Sequence, residues 1–255
     1  MGQRRRLFVT TIVVSLAAIN YNINNFMKIA IIGSGRSRST LLARYLHHQN
    51  KNLIFHGEYY THATRKGECD LTNLTTELFK DNDFIVKIMS HNITMDTNLS
   101  VFMINQYDEI HLIERHDFFD QCCSWQVCIQ TDIWHLSPGC NVSGENQYDE
   151  IKQQKFTVDL YTILGHANSV SNYLKMKKYL NENDIPYKLH TYESAKKYGI
   201  QQYTISNSNL RYNNIITNYE LKESVNLLFE KYFSYENASC DLEQFSAEIR
   251  AKFGA

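Results

Sequence analysis

Apolar and polar positions fall in blocks along this chain, and each block has a readable period. The run Lys28–Ile32, closed by Gly33, is the pattern of a parallel strand buried on both faces. Ser39–Gln49 places Leu41, Leu42, Tyr45 and Leu46 on one face and predicts a helix. Leu53–Phe55 predicts a second strand, 71–80 a helix, Phe84–Met89 a third strand and Ile110–Ile113 a fourth. Phe118–Gln130 reads as a helix opened by Asp117, a good N-cap. The segment 131–150, with Pro138, Gly139 and Gly144, predicts a long loop. Phe156, Leu160, Ile163, Leu164, Ala167, Val170, Leu174 and Leu180 recur at helical spacing, which predicts one helix over 153–183. Tyr187–Tyr192 predicts a fifth strand, and two amphipathic helices are expected near 218–233 and 241–252. Strands alternating with helices imply an α/β fold, three layers around a central parallel sheet.

Residues 1–26 differ from the rest. Arg4-Arg5-Arg6 precedes an apolar run from Leu7 to Ile19, shorter than the roughly 20 residues of an ordinary spanning helix. Two readings stay open. In one, 1–26 is a signal-like or anchor-like extension, and the protein is membrane-anchored or enters the secretory pathway. In the other, Met27 starts a cytoplasmic chain and the extension is dispensable. Either way, 27–255 is expected to be one α/β domain.

Composition narrows the function classes. The 255 residues hold 26 Lys+Arg and 27 Asp+Glu, a net charge of -1, so no global basic field marks a nucleic-acid coat. The three arginines are the only charges in 1–26, and from Met27 onward 23 basic groups face 27 acidic ones. Binding of an anion must therefore rest on local placement. The six cysteines show neither a CxxC pair nor zinc-finger spacing, so free thiols and no metal are expected. Five N-x-S/T triplets in so Asn-rich a chain do not establish secretion.

The segment Gly33-Ser34-Gly35-Arg36-Ser37-Arg38-Ser39-Thr40-Leu41-Leu42 joins the first predicted strand to the first predicted helix. Backbone N–H groups and the helix dipole make such a junction an anion site. Gly35 gives the backbone room, Ser37, Ser39 and Thr40 add hydroxyls, and Arg36 and Arg38 add charge. The G-x-x-x-x-G-K-[ST] pattern fails, because Arg38 stands at its second Gly and Ser39 at its Lys. Without that Lys, ATP hydrolysis is disfavoured.

The form R-S-x-S-T-L-L resembles the 5′-phosphosulfate loop of sulfotransferases, enzymes that use the sulfate donor 3′-phosphoadenylyl sulfate (PAPS) and are similar in fold to the P-loop nucleotide kinases. Arg36, Ser37, Ser39 and Thr40 match, whereas Arg38 stands where that family usually has Gly. A residue needing positive φ there would be strained as Arg. The family's second signature, a strand ending in Arg followed by a helix carrying Ser, holds the donor's 3′-phosphate. Ile110–Arg115, then Gln121-Cys122-Cys123-Ser124-Trp125, is similar to the segment of bacterial carbohydrate sulfotransferases. Counting back eight positions from Ser124 gives His116 and nine gives Arg115. Arg115 carries a permanent charge suited to phosphate, with His116 as helper.

The resemblance implies a general base on Glu58, which follows the second strand, with His91 as the alternative base and Lys87 as a candidate for the bridging oxygen. Lys87 within an apolar strand needs an anionic partner. Tyr192-Glu193 is expected to support the site, Ser206–Arg211 to close over the nucleotide, and 131–150 to contribute an acceptor loop. Trp125 is expected in the core rather than against adenine. The implied activity is transfer of a sulfuryl group from PAPS to a glycan or other small acceptor, without metal and without nucleic acid. Membrane contact arises only if 1–26 is an anchor. A kinase of similar fold and a non-catalytic nucleotide-binding module are the rivals.

Overall fold

The computed structural model describes residues 27–60, 71–81, 83–92, 98–132, 151–194 and 212–254. Five strands form one sheet: β1 (Lys28–Gly33), β2 (Ile54–Gly57), β3 (Phe84–Met89), β4 (Glu109–Glu114) and β5 (Lys188–Thr191). Their spatial order is β2-β3-β1-β4-β5 and every pairing is parallel. The helices are α1 (Ser39–Gln49), α2 (Leu71–Leu78), α3 (Asn98–Ile104), α4 (Phe118–Thr131), α5 (Leu160–Glu182), α6 (Tyr212–Ile215), α7 (Lys222–Tyr232) and α8 (Leu242–Phe253). Strands β6 (Phe233–Ser234) and β7 (Ser239–Cys240) form a small antiparallel hairpin between α7 and α8.

The period of two along β1 explains the layers. Ile29 and Ile31 face one side and pack with Leu42 and Ala43 of α1, together with Ile85 and Ile113. Ala30 and Ile32 face the other, where Val86, Ile88, Ile110 and Leu112 meet α4, α5, α7 and α8. Each wholly buried Ile or Leu contributes on the order of 1.5–3 kcal/mol, so the sheet is held from both faces.

Several boundaries differ from the expectations. Strand β2 ends at Gly57 rather than Phe55, so Glu58 directly follows the strand. The long helix starts at Leu160, not 153: Asp159 caps it by accepting from Thr162 N at 2.7 Å. Phe156 instead forms a bridge with Ile216. Phe156 and Val158 are buried all the same, so the apolar recurrence carried on through a stretch that is not helical. Helix α3 and the β6–β7 hairpin had no clear periodic signal. Cys122, Cys123 and Cys128 are free and buried, and Cys240 is free. Burial raises the pKa of the Cys122, Cys123 and Cys128 thiols. Residues 1–26, Cys69, Cys140, 133–150 and Ser206–Arg211 lie outside the described residues. Among the described residues no helix is long and apolar enough to cross a membrane.

The connectivity also places a crevice. From β1 the chain leaves through α1 toward the β3–β2 side, and from β4 it leaves through α4 toward β5. Adjacent parallel strands whose connections diverge open a cleft at their carboxyl ends, the usual ligand position in open α/β sheets.

Candidate anion site at the carboxyl end of the sheet

The loop after β1 is built by close approach. A Cβ on Gly33 would meet Ile113 Cγ2 and Ser37 Oγ at 2.7 Å, and one on Gly35 would lie 2.5 Å from the Trp125 ring. Trp125 therefore lies against the loop backbone of Gly35. Gln121, buried on α4, donates from Nε2 to Ser34 Oγ at 2.8 Å and to the Gly35 carbonyl. Arg36 and Arg38 both adopt left-handed backbone, with φ of 63° and 68°. Positions of this kind persist only where surrounding contacts determine them. Arg38, the N-cap of α1, gives that helix no side-chain cap, and the first turn holds no acidic residue. Its positive dipole end thus lacks an acid of its own in that turn.

Three guanidiniums converge on this loop. Arg36 Nε donates to Ser124 Oγ at 2.8 Å. Arg115, directly after β4 and 4 % exposed, donates to the Arg36 carbonyl at 3.2 Å. Arg38 donates to the Tyr192 carbonyl at 3.0 Å. Both Arg38 and Arg115 also stand over the Tyr192 ring, 3.7 and 4.1 Å from its centre. Desolvation lowers the Arg38 pKa, with Tyr192 opposing the shift.

Buried groups are left unpartnered in the same place. Among the described residues Ser37 Oγ and Arg115 Nε find no hydrogen-bond partner, nor does Gln121 Oε1. Buried donors almost always find a partner, and a hydroxyl and a guanidinium N–H beside a helix N-terminus are the donors an oxyanion takes.

Helix α5 and the hairpin brace the end of β4. Glu114, 3 % exposed, accepts from Lys177 at 2.8 Å and from the Tyr173 hydroxyl at 3.1 Å. Tyr235 donates to the Arg115 carbonyl at 3.1 Å. His116 does not join the loop: it is exposed, its Nε2 is 4.0 Å from Glu114 Oε2 and its ring packs edge-on to Tyr235. Of the two register options, Arg115 is the one at the loop.

A second group of residues adjoins α1. Lys87, 5 % exposed on β3, donates to Thr40 Oγ1 at 2.8 Å and is paired with the Glu58 carboxylate. The anionic partner demanded by a buried Lys is therefore Glu58. Burial lowers the Lys87 pKa, and Glu58 opposes that shift. Ser39 is buried in the first turn of α1. His91 sits in the 3₁₀ turn Ser90–Asn92 after β3, with its ring 6.5 Å from Trp125. Ser90 Oγ donates to the Ser169 carbonyl at 2.7 Å and ties this turn to α5.

Sequence reasoning missed three contributors. Tyr212 hydrogen-bonds Ser124, and burial pushes its pKa up to about 12. His166, 3 % exposed, packs against Trp125 and Phe118, and its Nε2 has no partner among the described residues. Gln121 anchors the loop. Tyr212 and His166 lie in no motif, whereas Gln121 opens the segment Gln121–Trp125 quoted above, where no role in the loop was given to it. Among the described residues no cluster of three His, Cys, Asp or Glu is placed to hold a metal ion. No protein-family model matches this chain, and a search of curated proteins also returns no match.

Proposed function

We propose that this protein is a sulfotransferase, on a sheet of the P-loop-like type, that moves a sulfuryl group from PAPS to a hydroxyl of a carbohydrate or another small acceptor. The observation that carries the reading is the junction of Arg36, Ser124 and Arg115, with Ser37 Oγ and Arg115 Nε beside it and without a partner among the described residues. Two elements 88 positions apart supply one set of anion donors, and the resemblance assigns those elements to the 5′-phosphosulfate and the 3′-phosphate of one donor.

The chemistry follows from the groups present. The acceptor oxygen attacks sulfur in line, and the bond from sulfur to the 5′-phosphate oxygen breaks with its electron pair left on that phosphate. The acceptor proton passes to the Glu58 carboxylate. Lys87 faces Glu58 and Thr40, so its ammonium stands between the base and the loop and offsets charge that gathers on the leaving oxygen. Arg36, Arg38, Ser37, Ser39 and Thr40 hold the donor, and Arg115 with Ser124 holds its 3′-phosphate.

Thermal unfolding with adenosine 3′,5′-bisphosphate (PAP), ATP and NAD tests this. Stabilisation by millimolar PAP, well above that by NAD, is expected, because a ligand that binds only the folded state raises stability by mass action. No stabilisation by PAP overturns the proposal. Stabilisation by ATP with Mg²⁺ alone favours a kinase.

A further inference from the structure

Counted from Gly33, Thr40 falls at the hydroxyl position of the G-x-x-x-x-G-K-[ST] spacing. In loops of that pattern this hydroxyl is a ligand of Mg²⁺ beside the nucleotide phosphates. Here a protein cation stands on it. Lys87 Nζ is 2.8 Å from Thr40 Oγ1 and pairs on its other side with the Glu58 carboxylate. Lys87 reaches this place from the middle of β3, where it lies opposite Ile31 of β1, and it is almost wholly buried. A hydroxyl and a carboxylate are also the oxygen ligands a hard divalent cation takes.

We propose that the Lys87 ammonium is a built-in counter-cation, placed where phosphate loops of this spacing hold a divalent ion, and that removing it leaves a site that takes Mg²⁺. The inference rests on the reading above that the loop binds a phosphate or phosphosulfate group. An ammonium is a compact point charge with three donors. Thr40 and Glu58 use two, and the third remains for an oxygen of the incoming anion. The ammonium carries one charge where Mg²⁺ carries two. The three guanidiniums gathered at Arg36, Arg38 and Arg115 supply the remainder, in a loop whose pattern elsewhere needs one Lys. Glu58 then has two jobs, since the same carboxylate that fixes Lys87 faces the acceptor.

The test is calorimetric titration of PAP, and separately of inorganic phosphate, into wild type and Lys87→Ala, each in EDTA, in millimolar Mg²⁺ and in methylammonium. Wild-type affinity is expected to be the same in EDTA and Mg²⁺. Lys87→Ala is expected to lose about tenfold or more in EDTA, the loss of one charge-assisted contact, and to regain most of it with Mg²⁺ or methylammonium. Lys87→Met keeps the packing of the aliphatic stem and serves if Lys87→Ala does not fold. A wild type that needs Mg²⁺, or a variant that binds as wild type in EDTA or recovers with neither cation, overturns the proposal. If phosphate shows the expected pattern while PAP binds neither protein, the sulfotransferase reading fails and the counter-cation stands. If PAP binds wild type and the variants are indifferent to cations, the reverse holds.

Discussion

Arg36 Nε donates to Ser124 Oγ at 2.8 Å across 88 positions of chain, so the loop after β1 and the helix after β4 meet in one surface. Arg115 closes the same surface from the end of β4 through the Arg36 carbonyl. Each guanidinium is expected to weaken PAP binding by about 1.5–3 kcal/mol when replaced by Ala, as loss of a charged hydrogen-bonding group does. Ser124→Ala is expected to cost less, about 1 kcal/mol, since a neutral hydroxyl is lost. Calorimetry on Arg36→Ala, Arg115→Ala and Ser124→Ala gives the order directly, and wild-type affinity in both Arg variants removes the assigned roles.

Arg38 holds φ at 68°, where a side chain costs more than glycine does. Arg38→Gly relieves that strain and Arg38→Ala does not. The Ala variant is therefore expected to be less stable than the Gly variant by about 1 kcal/mol. Both lose the bond to the Tyr192 carbonyl and the stacking on its ring. Urea unfolding of the pair separates backbone from side chain. Equal stabilities show that the left-handed turn is relaxed without Arg38.

Gly35 has no room for a Cβ, because the Trp125 ring is 2.5 Å from where it would stand. Gly35→Ala is expected to destabilise by about 1–3 kcal/mol, the usual cost of overpacking. A second change, Trp125→Leu, makes space, so the double variant is expected to recover part of that loss. A double-mutant cycle measures the coupling, and strict additivity denies the contact.

The sheet and the loop after β1 were legible in the sequence because their signals are local. Phe84–Met89 is an unbroken apolar strand, and its limits match the structure. Asp117 is a cap that acts within its own helix, accepting from Asp120 N at 3.1 Å. Arg36, Ser37, Ser39 and Thr40 could be named from one short segment. What was not legible depends on distant pairing. Lys87 signalled its need for an anion but not which one, since Glu58 reaches it from another strand. Tyr192 takes its place between β5 and two arginines only after β4 and β5 pair. Arg115 and His116 differ by one position, and only the end of β4, fixed by the Glu114–Lys177 pair, decides which enters the loop. The start of α5 was missed because Phe156 and Val158 are buried outside any helix.

Glu58 lies at the end of β2 with Lys87 against it. Glu58→Gln keeps shape and a hydrogen-bond acceptor but cannot take a proton. Turnover with PAPS is expected to fall about 10²–10⁴-fold, the usual range for loss of a general base. PAP affinity is expected to fall far less than the rate, because the glutamine keeps an acceptor oxygen for Lys87, which also holds Thr40. Steady-state rates beside calorimetry on one preparation make the comparison. An unchanged rate moves the base to His91, and His91→Ala then carries the loss.

His166 is wholly enclosed against Trp125 and Phe118, and burial, aided by the charges of Arg115, His91 and Arg36, lowers its pKa to about 3. An unfolded His titrates near 6.5. The unfolded chain therefore binds a proton before the folded protein does, and stability present above pH 6.5 is lost as pH falls toward 3. One such group gives a slope approaching about 1.4 kcal/mol per pH unit in that window. His190, lowered to about 4 mainly by burial, and His111, lowered by the same cause, act in the same direction. Urea unfolding between pH 4.5 and 6.5 is expected to show stability falling with acid, and His166→Gln is expected to flatten the slope by about one proton's share. A variant with the wild-type slope shows that His166 is protonated equally in the folded and unfolded states.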